Sequence, residues 1–160
     1  MSRAPTVSVR DALASDILVL SRFYEELVDE MDTLEPMWAR LEALELPLAE
    51  SFAHHIAAVD SELLVGSVDS VPFGMLLAES RDSLPHVEGR VCSLRIVYTE
   101  LEAREVGVAE AMLEEVMARC RALGVRWFDA DVLPGHRLAK NFFEAAGFSA
   151  RHIIMFHEDE

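Results

Sequence analysis

Residues 104–109, Arg-Glu-Val-Gly-Val-Ala, stand between a β-branched apolar run and a long amphipathic stretch, which places them at a strand-to-helix turn. The first amides of a helix have no partners inside it, and the helix dipole adds partial positive charge there. Gly107 and Ala109 keep that end bare, so a diphosphate can lie directly on the amides. The alternative is an ordinary strand-to-helix joint that carries one glycine and binds nothing. Two further groups could do chemistry. Asp129 and Asp131 lie two apart in the run 125–132 and share one face of a strand. A carboxylate there can take a proton from an amine, and the like charge beside it can raise its pKa. The alternative is that both recognise a cationic substrate or face solvent. Lys140, the one lysine among 14 basic residues, sits with Arg137 at the start of a later helical segment. Both can reach phosphates or stay as solvated surface charge.

Composition narrows the setting. The 160 residues are 51% hydrophobic and 27% charged, which is the balance of one folded globular domain spanning 1–160. No apolar stretch reaches the roughly 18 residues of a membrane span, and the first residues lack the apolar core of a secretion signal, so the expected compartment is the cytoplasm. Cys92 and Cys120 are then expected as free thiols, and neither they nor the six histidines show metal-ligand spacing. A net charge of −15 argues against nucleic acid or an anionic membrane as partner and favours a cationic substrate such as an amine. Solubility alone also accounts for that charge.

The elements that must position these groups read β-α-α-β-β-β-α-β-α-β. Val7 and Val9 alternate in a short strand at 6–10. Ser15 and Asp16 offer a cap for a helix with Ile17, Leu20, Tyr24, Leu27, Val28 and Met31 on one face. A second helical region, interrupted near Pro36 and Pro47, includes Trp38, Leu41, Leu44, Phe52 and Ile56. Residues 62–68 and 72–79 form a hairpin around Asp69, Ser70 and Val71. Strand 91–99 comes next, then a helix from Val108 through Met112, Val116 and Cys120 that stops at Gly124. A strand at 125–132, a short helix ending at Gly147 and a last strand at 148–157 complete the chain. The strand–helix–strand unit from 91 to 132 implies a parallel crossover inside a largely antiparallel sheet.

In its second half the chain resembles the GNAT superfamily of N-acetyltransferases. Residues 104–109 fit that superfamily's Arg/Gln-x-x-Gly-x-Gly/Ala turn. Residues 136–148, His-Arg-Leu-Ala-Lys-Asn-Phe-Phe-Glu-Ala-Ala-Gly-Phe, fit its Asn-x-x-Ala-x-x-Phe/Leu-Tyr-Glu-x-x-Gly-Phe segment. The resemblance covers about 91–157; the first half agrees only in element order. It implies an α/β (α+β) fold, a mixed, mostly antiparallel sheet with a central, splayed parallel pair and helices on both faces. It implies acetyl-CoA as acyl donor, with Val97, Tyr98 and Thr99 along pantetheine. The amides of Arg104, Glu105, Val106, Gly107, Val108 and Ala109 would hold the pyrophosphate, and His136, Lys140 and Phe143 would flank the cofactor.

The same resemblance implies direct transfer of an acetyl group to a primary amine, either a small cationic molecule or a protein amine. Ala130-Asp131-Val132 matches a Leu-Glu-Val stretch that carries an acid in ribosomal-protein N-terminal acetyltransferases, so Asp131 is the candidate base. Glu35, Met37 and Trp38 are candidates for the acceptor pocket. Three positions depart from the pattern. Phe143 replaces a tyrosine proposed to protonate the leaving thiolate, so water, the Tyr98 hydroxyl or another side chain must serve. His136 replaces the asparagine and can still hydrogen-bond the cofactor. Glu105 replaces a common glycine and must point outward. Phe143 motivates a second reading, a non-catalytic acyl-CoA-binding or interaction module. A homodimer is the assembly that recurs among the proteins it resembles.

Overall fold

The structure, a computed structural model, describes residues 3–34, 44–82, 88–155, 157 and 159. Its sheet has five strands in sequential order: β1 (Val7–Asp11), β2 (Ser61–Val68), β3 (Val71–Arg81), β4 (Val91–Thr99) and β5 (Trp127–Ala130). The first four pair antiparallel, and β4 and β5 pair parallel, as the crossover requires. The β2–β3 turn is tighter than the sequence suggests. Asp69 and Ser70 take φ of 48° and 71°, the left-handed pair of a two-residue hairpin, and Val71 already belongs to β3.

Helices α1 (Ile17–Leu34) and α2 (Leu48–Ala57) cover one face; α3 (Val108–Ala122) and α4 (Arg137–Ala145) cover the other. The first helix does not start at a Ser15 or Asp16 cap. One tight turn at Ala14–Asp16 precedes it, and the Asp16 carboxylate reaches back to accept the Leu13 N–H at 2.8 Å. Arg10 donates to the same carboxylate at 2.7 and 2.9 Å. The expected stripe of α1 is buried through Leu20, Tyr24, Leu27 and Met31, with Phe23 added and Ile17 and Val28 at its margin. The expectations for Glu35, Pro36, Met37, Trp38 and Leu41 lie outside the described residues.

Strand β5 is shorter than the run 125–132, and among the described residues the last expected strand does not form. Residues 148–155 form no regular element. Gly147, at φ 91°, ends α4 and turns Phe148 onto Phe143, with ring centroids 5.2 Å apart. Beyond it Ile153, Ile154 and Met155 stay exposed. Apolar, β-branched residues form a strand only where a neighbouring strand supplies partners, and none pairs with them here.

Two local features shape the sheet near β5 and beneath α3. Leu77 pairs with Ile96 but Ala78 pairs with Leu94, leaving Arg95 as the extra residue of a β-bulge. Leu94 and Ile96, two apart, therefore face opposite cores. Second, Gly66 and Gly74 pair across β2 and β3 beneath α3. A Cβ on Gly66 would lie 2.6 Å from Val108 Cγ1, and one on Gly74 would lie 2.7 Å from the Tyr98 carbonyl. These two glycines let the first turn of α3 rest directly on the sheet. Cys92 and Cys120 are free and buried in the core on the α3 side. Among the described residues no helix is long and apolar enough to cross a membrane and no group of side chains could hold a metal ion.

Candidate active site

The parallel ladder between β4 and β5 ends at Leu94 and Ala130, where the bulge begins. A bulge bends its strand and increases its twist. Beyond it the two strands separate, and a cleft of about 350 Å³ opens between them. Its floor is the freed part of β4, from Arg95 to Thr99; α1 closes one side, and the turn before α3 and the start of α4 close the other. The volume and the mostly apolar walls suit a small-molecule site.

Of the residues singled out from sequence, Val97, Tyr98 and Thr99 line the cleft from β4, and Arg104 and Ala109 from the turn and first helical residues beyond it. Asp131, the residue after β5, His136, at the N-cap of α4, and Phe143, within α4, also line it. Thr99 carries a buried hydroxyl with no hydrogen-bond partner among the described residues. Its carbonyl is partly used: Arg104 Nε donates to it at 2.8 Å.

The remaining predicted residues lie around the cleft in different ways. Gly107 takes φ 94° and ψ 18° as the N-cap of α3, with no side chain over the helix end. A Cβ there would meet nothing within 4 Å, so glycine is needed for its backbone angle and leaves open space beside the helix amides. Not every amide of the turn is free. Arg104 N and Val106 N already donate to Leu101 O and Ala103 O at 3.4 and 3.2 Å. The bare donors are those of the first helical turn, from Val108 on. The Val108 side chain is wholly buried and anchors that turn, while Glu105 is exposed. Lys140 is exposed and engaged by Glu144 at 2.6 Å.

Electrostatics in the cleft are governed by pairs. The Arg104 guanidinium clasps Glu30 of α1 through both terminal nitrogens, one at 3.0 Å, and this hydrogen bonding raises its pKa further. Arg104 is thus a neutralised strut between α1 and the turn, not a spare cation. Positive potential for an anion falls to the α3 amides. The Tyr98 hydroxyl donates to Glu26 at 2.9 Å, and burial together with that carboxylate pushes its pKa up. Asp129, expected to share a strand face with Asp131, is tied to Arg81 at 2.5 Å. His136 is half-buried at the N-cap of α4. Burial lowers its pKa, Glu30 pulls it back up and Arg104 lowers it again. Phe143 is 8% exposed and packed between Phe142 and Phe148. Sequence reasoning missed Glu30 and Asn141, which also line the cleft. Glu30 carried one usable signal, its i,i+4 spacing from Glu26 on the face of α1 beside its apolar stripe.

The site therefore offers what a nucleotide thioester needs. It has an uncovered strand edge for amides and bare helix amides beside open space for phosphates. These residues fit acetyl-CoA. The profile of the GNAT acetyltransferase family matches residues 20–148. No curated protein matches. Among solved structures, a transcriptional regulator from Bacillus halodurans C-125 superposes with TM-score 0.76 at 21% identity, covering 96% of this chain and 100% of its own. An aminoglycoside N-acetyltransferase, AAC(6')-Iy, solved in complex with CoA, gives TM-score 0.74 at 17% identity, covering 99% and 98%. The aminoglycoside 6'-N-acetyltransferase AAC(6')-Ih from Acinetobacter baumannii gives 0.73 at 14%, covering 97% and 99%. At such identities the likeness carries the fold.

Proposed function

Because the chain belongs to the GNAT acetyltransferase family, whose acyl donor is acetyl-CoA, we propose that it transfers an acetyl group directly from acetyl-CoA to a primary amine. The observation that carries this reading is the cleft opened where β4 leaves β5, lined both by the first turn of α3 and by Asp131. Pantetheine would lie along Val97 and Thr99 and the pyrophosphate on the first turn of α3. The acceptor would be a cationic amine, of a small molecule or of a protein; the aminoglycoside acetyltransferases among the structural neighbours support the small-molecule form. Asp131 would draw in the ammonium and take the proton that must leave before nitrogen can attack. We place the protein in the cytoplasm as a homodimer of single-domain chains.

Phe143 favours a second reading, an acyl-CoA-binding module without turnover, because a phenyl ring gives no proton to a thiolate. Release of coenzyme A against a panel of amines decides between them. The panel holds a polyamine, an aminoglycoside, and peptides with a free N-terminus or lysine. Turnover with any of these establishes the enzyme; acetyl-CoA stabilisation without turnover establishes the binder. Ligand at a hundred times its Kd adds about 2.7 kcal/mol, a rise of roughly 5–10 °C for a domain of this size. A melting point unmoved by saturating acetyl-CoA refutes both. Asp131→Asn is expected to lower turnover by about 10² or more, and unchanged turnover would end its role as base.

A further inference from the structure

We infer that His136 carries the reaction's second proton, from the attacking nitrogen to the departing thiolate of coenzyme A. The inference rests on the acetyl-transfer reading. Two protons have to move. An ammonium loses one to become a nucleophile, the step assigned to Asp131. When the amine nitrogen then bonds to the acetyl carbon it becomes cationic, and a second proton must leave as the carbon–sulfur bond breaks. Nitrogen gains the acetyl group, sulfur gains the electron pair of the broken bond, and the second proton ends on sulfur. The products are the amide and coenzyme A thiol, with one proton released to solvent.

Only a group that can both accept and donate near neutrality can pass that proton on. Among the described residues, the ionisable groups facing the cleft besides His136 are Glu30 from α1, Arg95 and Tyr98 from β4, Arg104 from the turn, Glu110 from α3 and Asp131 after β5. Glu30 and Arg104 hold one another. The Tyr98 proton is committed to Glu26, and its raised pKa makes the phenol a poor acid. The Arg95 guanidinium has donors and no acceptor. Phe143, on α4 beside the cleft, has nothing to give. Glu110 stands in the first turn of α3, where the pyrophosphate is expected, and Asp131 is assigned the first proton. His136 remains as the imidazole among the described residues of the cleft wall.

Its position sets its behaviour. The ring sits at the N-cap of α4, where the helix dipole disfavours a second positive charge. Partial burial and the Arg104 charge act in the same direction and Glu30 opposes them, and burial, the largest effect, favours the neutral ring that can accept. Once protonated, an imidazolium below the ordinary value of about 6.5 gives its proton downhill to a thiolate whose thiol titrates near 8.5. One ring thus serves both halves of the transfer, in a cleft where Phe143 supplies no proton donor.

The test uses His136→Gln and His136→Asn in the full chain. Calorimetry reads coenzyme A affinity, coenzyme A release reads turnover with whichever panel amine the wild type acetylates, and NMR follows the His136 ring carbon–proton signal through pH. The expected result is affinity within about threefold of wild type and turnover lower by about 10² or more, the scale of a lost acid–base group. The free ring should titrate below 6.5, and its signal should shift when coenzyme A is added. Turnover within threefold of wild type in His136→Gln overturns the inference. So does equal loss of affinity and turnover, which marks a binding residue only, or a ring signal indifferent to coenzyme A. If His136→Gln misfolds, the asparagine variant and the wild-type titration decide. Absence of turnover in the wild type overturns the acetyl-transfer reading itself, a distinct outcome.

Discussion

Replacing Gly66 with alanine should damage the coenzyme A site from beneath. Gly66 lies in β2 and makes no contact with the cleft, yet an added methyl carbon would sit 2.6 Å from Val108 Cγ1 and 2.9 Å from Met112 Sδ. Carbon atoms rest at about 3.5–4.0 Å, so the clash with Val108 demands roughly 1 Å of movement. Met112 can bend its flexible chain aside. Val108 cannot, because a β-branched side chain has one strongly preferred rotamer in a helix, and it is also fully buried. The first turn of α3 must therefore lift, and with it the amides expected to hold the pyrophosphate. Overpacking of this kind costs about 1–3 kcal/mol, and the stiffer unfolded chain returns about 0.4–1. A net loss of about 1–2 kcal/mol lowers the melting temperature by roughly 2–8 °C. Displacement of binding groups by 1 Å can weaken their action up to about 10²-fold. We expect calorimetry to show coenzyme A affinity falling at least tenfold. Thermal scanning of the unliganded protein gives the stability term separately. Gly66→Ala with an unchanged melting point and unchanged coenzyme A affinity would refute the argument that these glycines seat the helix. Loss of stability alone would show that the α3 amides do not hold the phosphates.

Other substitutions probe separate links. Gly107→Ala meets no steric neighbour but forces φ 94° on a residue with a Cβ, so unfolding by denaturant should show about 1–2 kcal/mol of destabilisation; no change would mean that the turn relaxes freely. Arg104→Lys keeps the charge and loses the fork that joins Glu30 to the Thr99 carbonyl, which should cost about 1–2 kcal/mol in the same assay, and full stability would exclude the strut. Asp16→Asn probes linkage to pH. Hydrogen bonds from Arg10, then from Leu13, hold the Asp16 pKa down against burial. Its contribution is therefore fully present above the unfolded carboxylate value of about 3.9 and is lost as pH falls through the lower folded value. Melting points of variant and wild type should differ at pH 7 and converge in acid; a gap independent of pH would contradict the pairing.

What could be read from the chain by itself was whatever depends on neighbours along it. The span of β4, the start of α3 at Val108 and its stop at Gly124 follow from periodicity and from glycine's tolerance of positive φ, both local properties. The two motif segments were legible for the same reason, and they line the same cleft, across from α1. Three decisive features depend on distant pairing. The bulge at Arg95 was hidden because residues on both sides of it are apolar, so the switch of Leu94 and Ile96 to opposite cores leaves no mark in the pattern. Gly66 and Gly74 read as ordinary strand residues until α3 is laid across them. The fate of charge was equally distant. Arg104 spends its charge on Glu30, 74 residues away, and Asp129 spends its own on Arg81, and neither pairing can be read along the chain. The sequence determined that a helix N-terminus and a carboxylate-bearing strand exist. Long-range register and side-chain pairing, set when the chain closes on itself, decided that the strands part between them and that His136 stands in the opening.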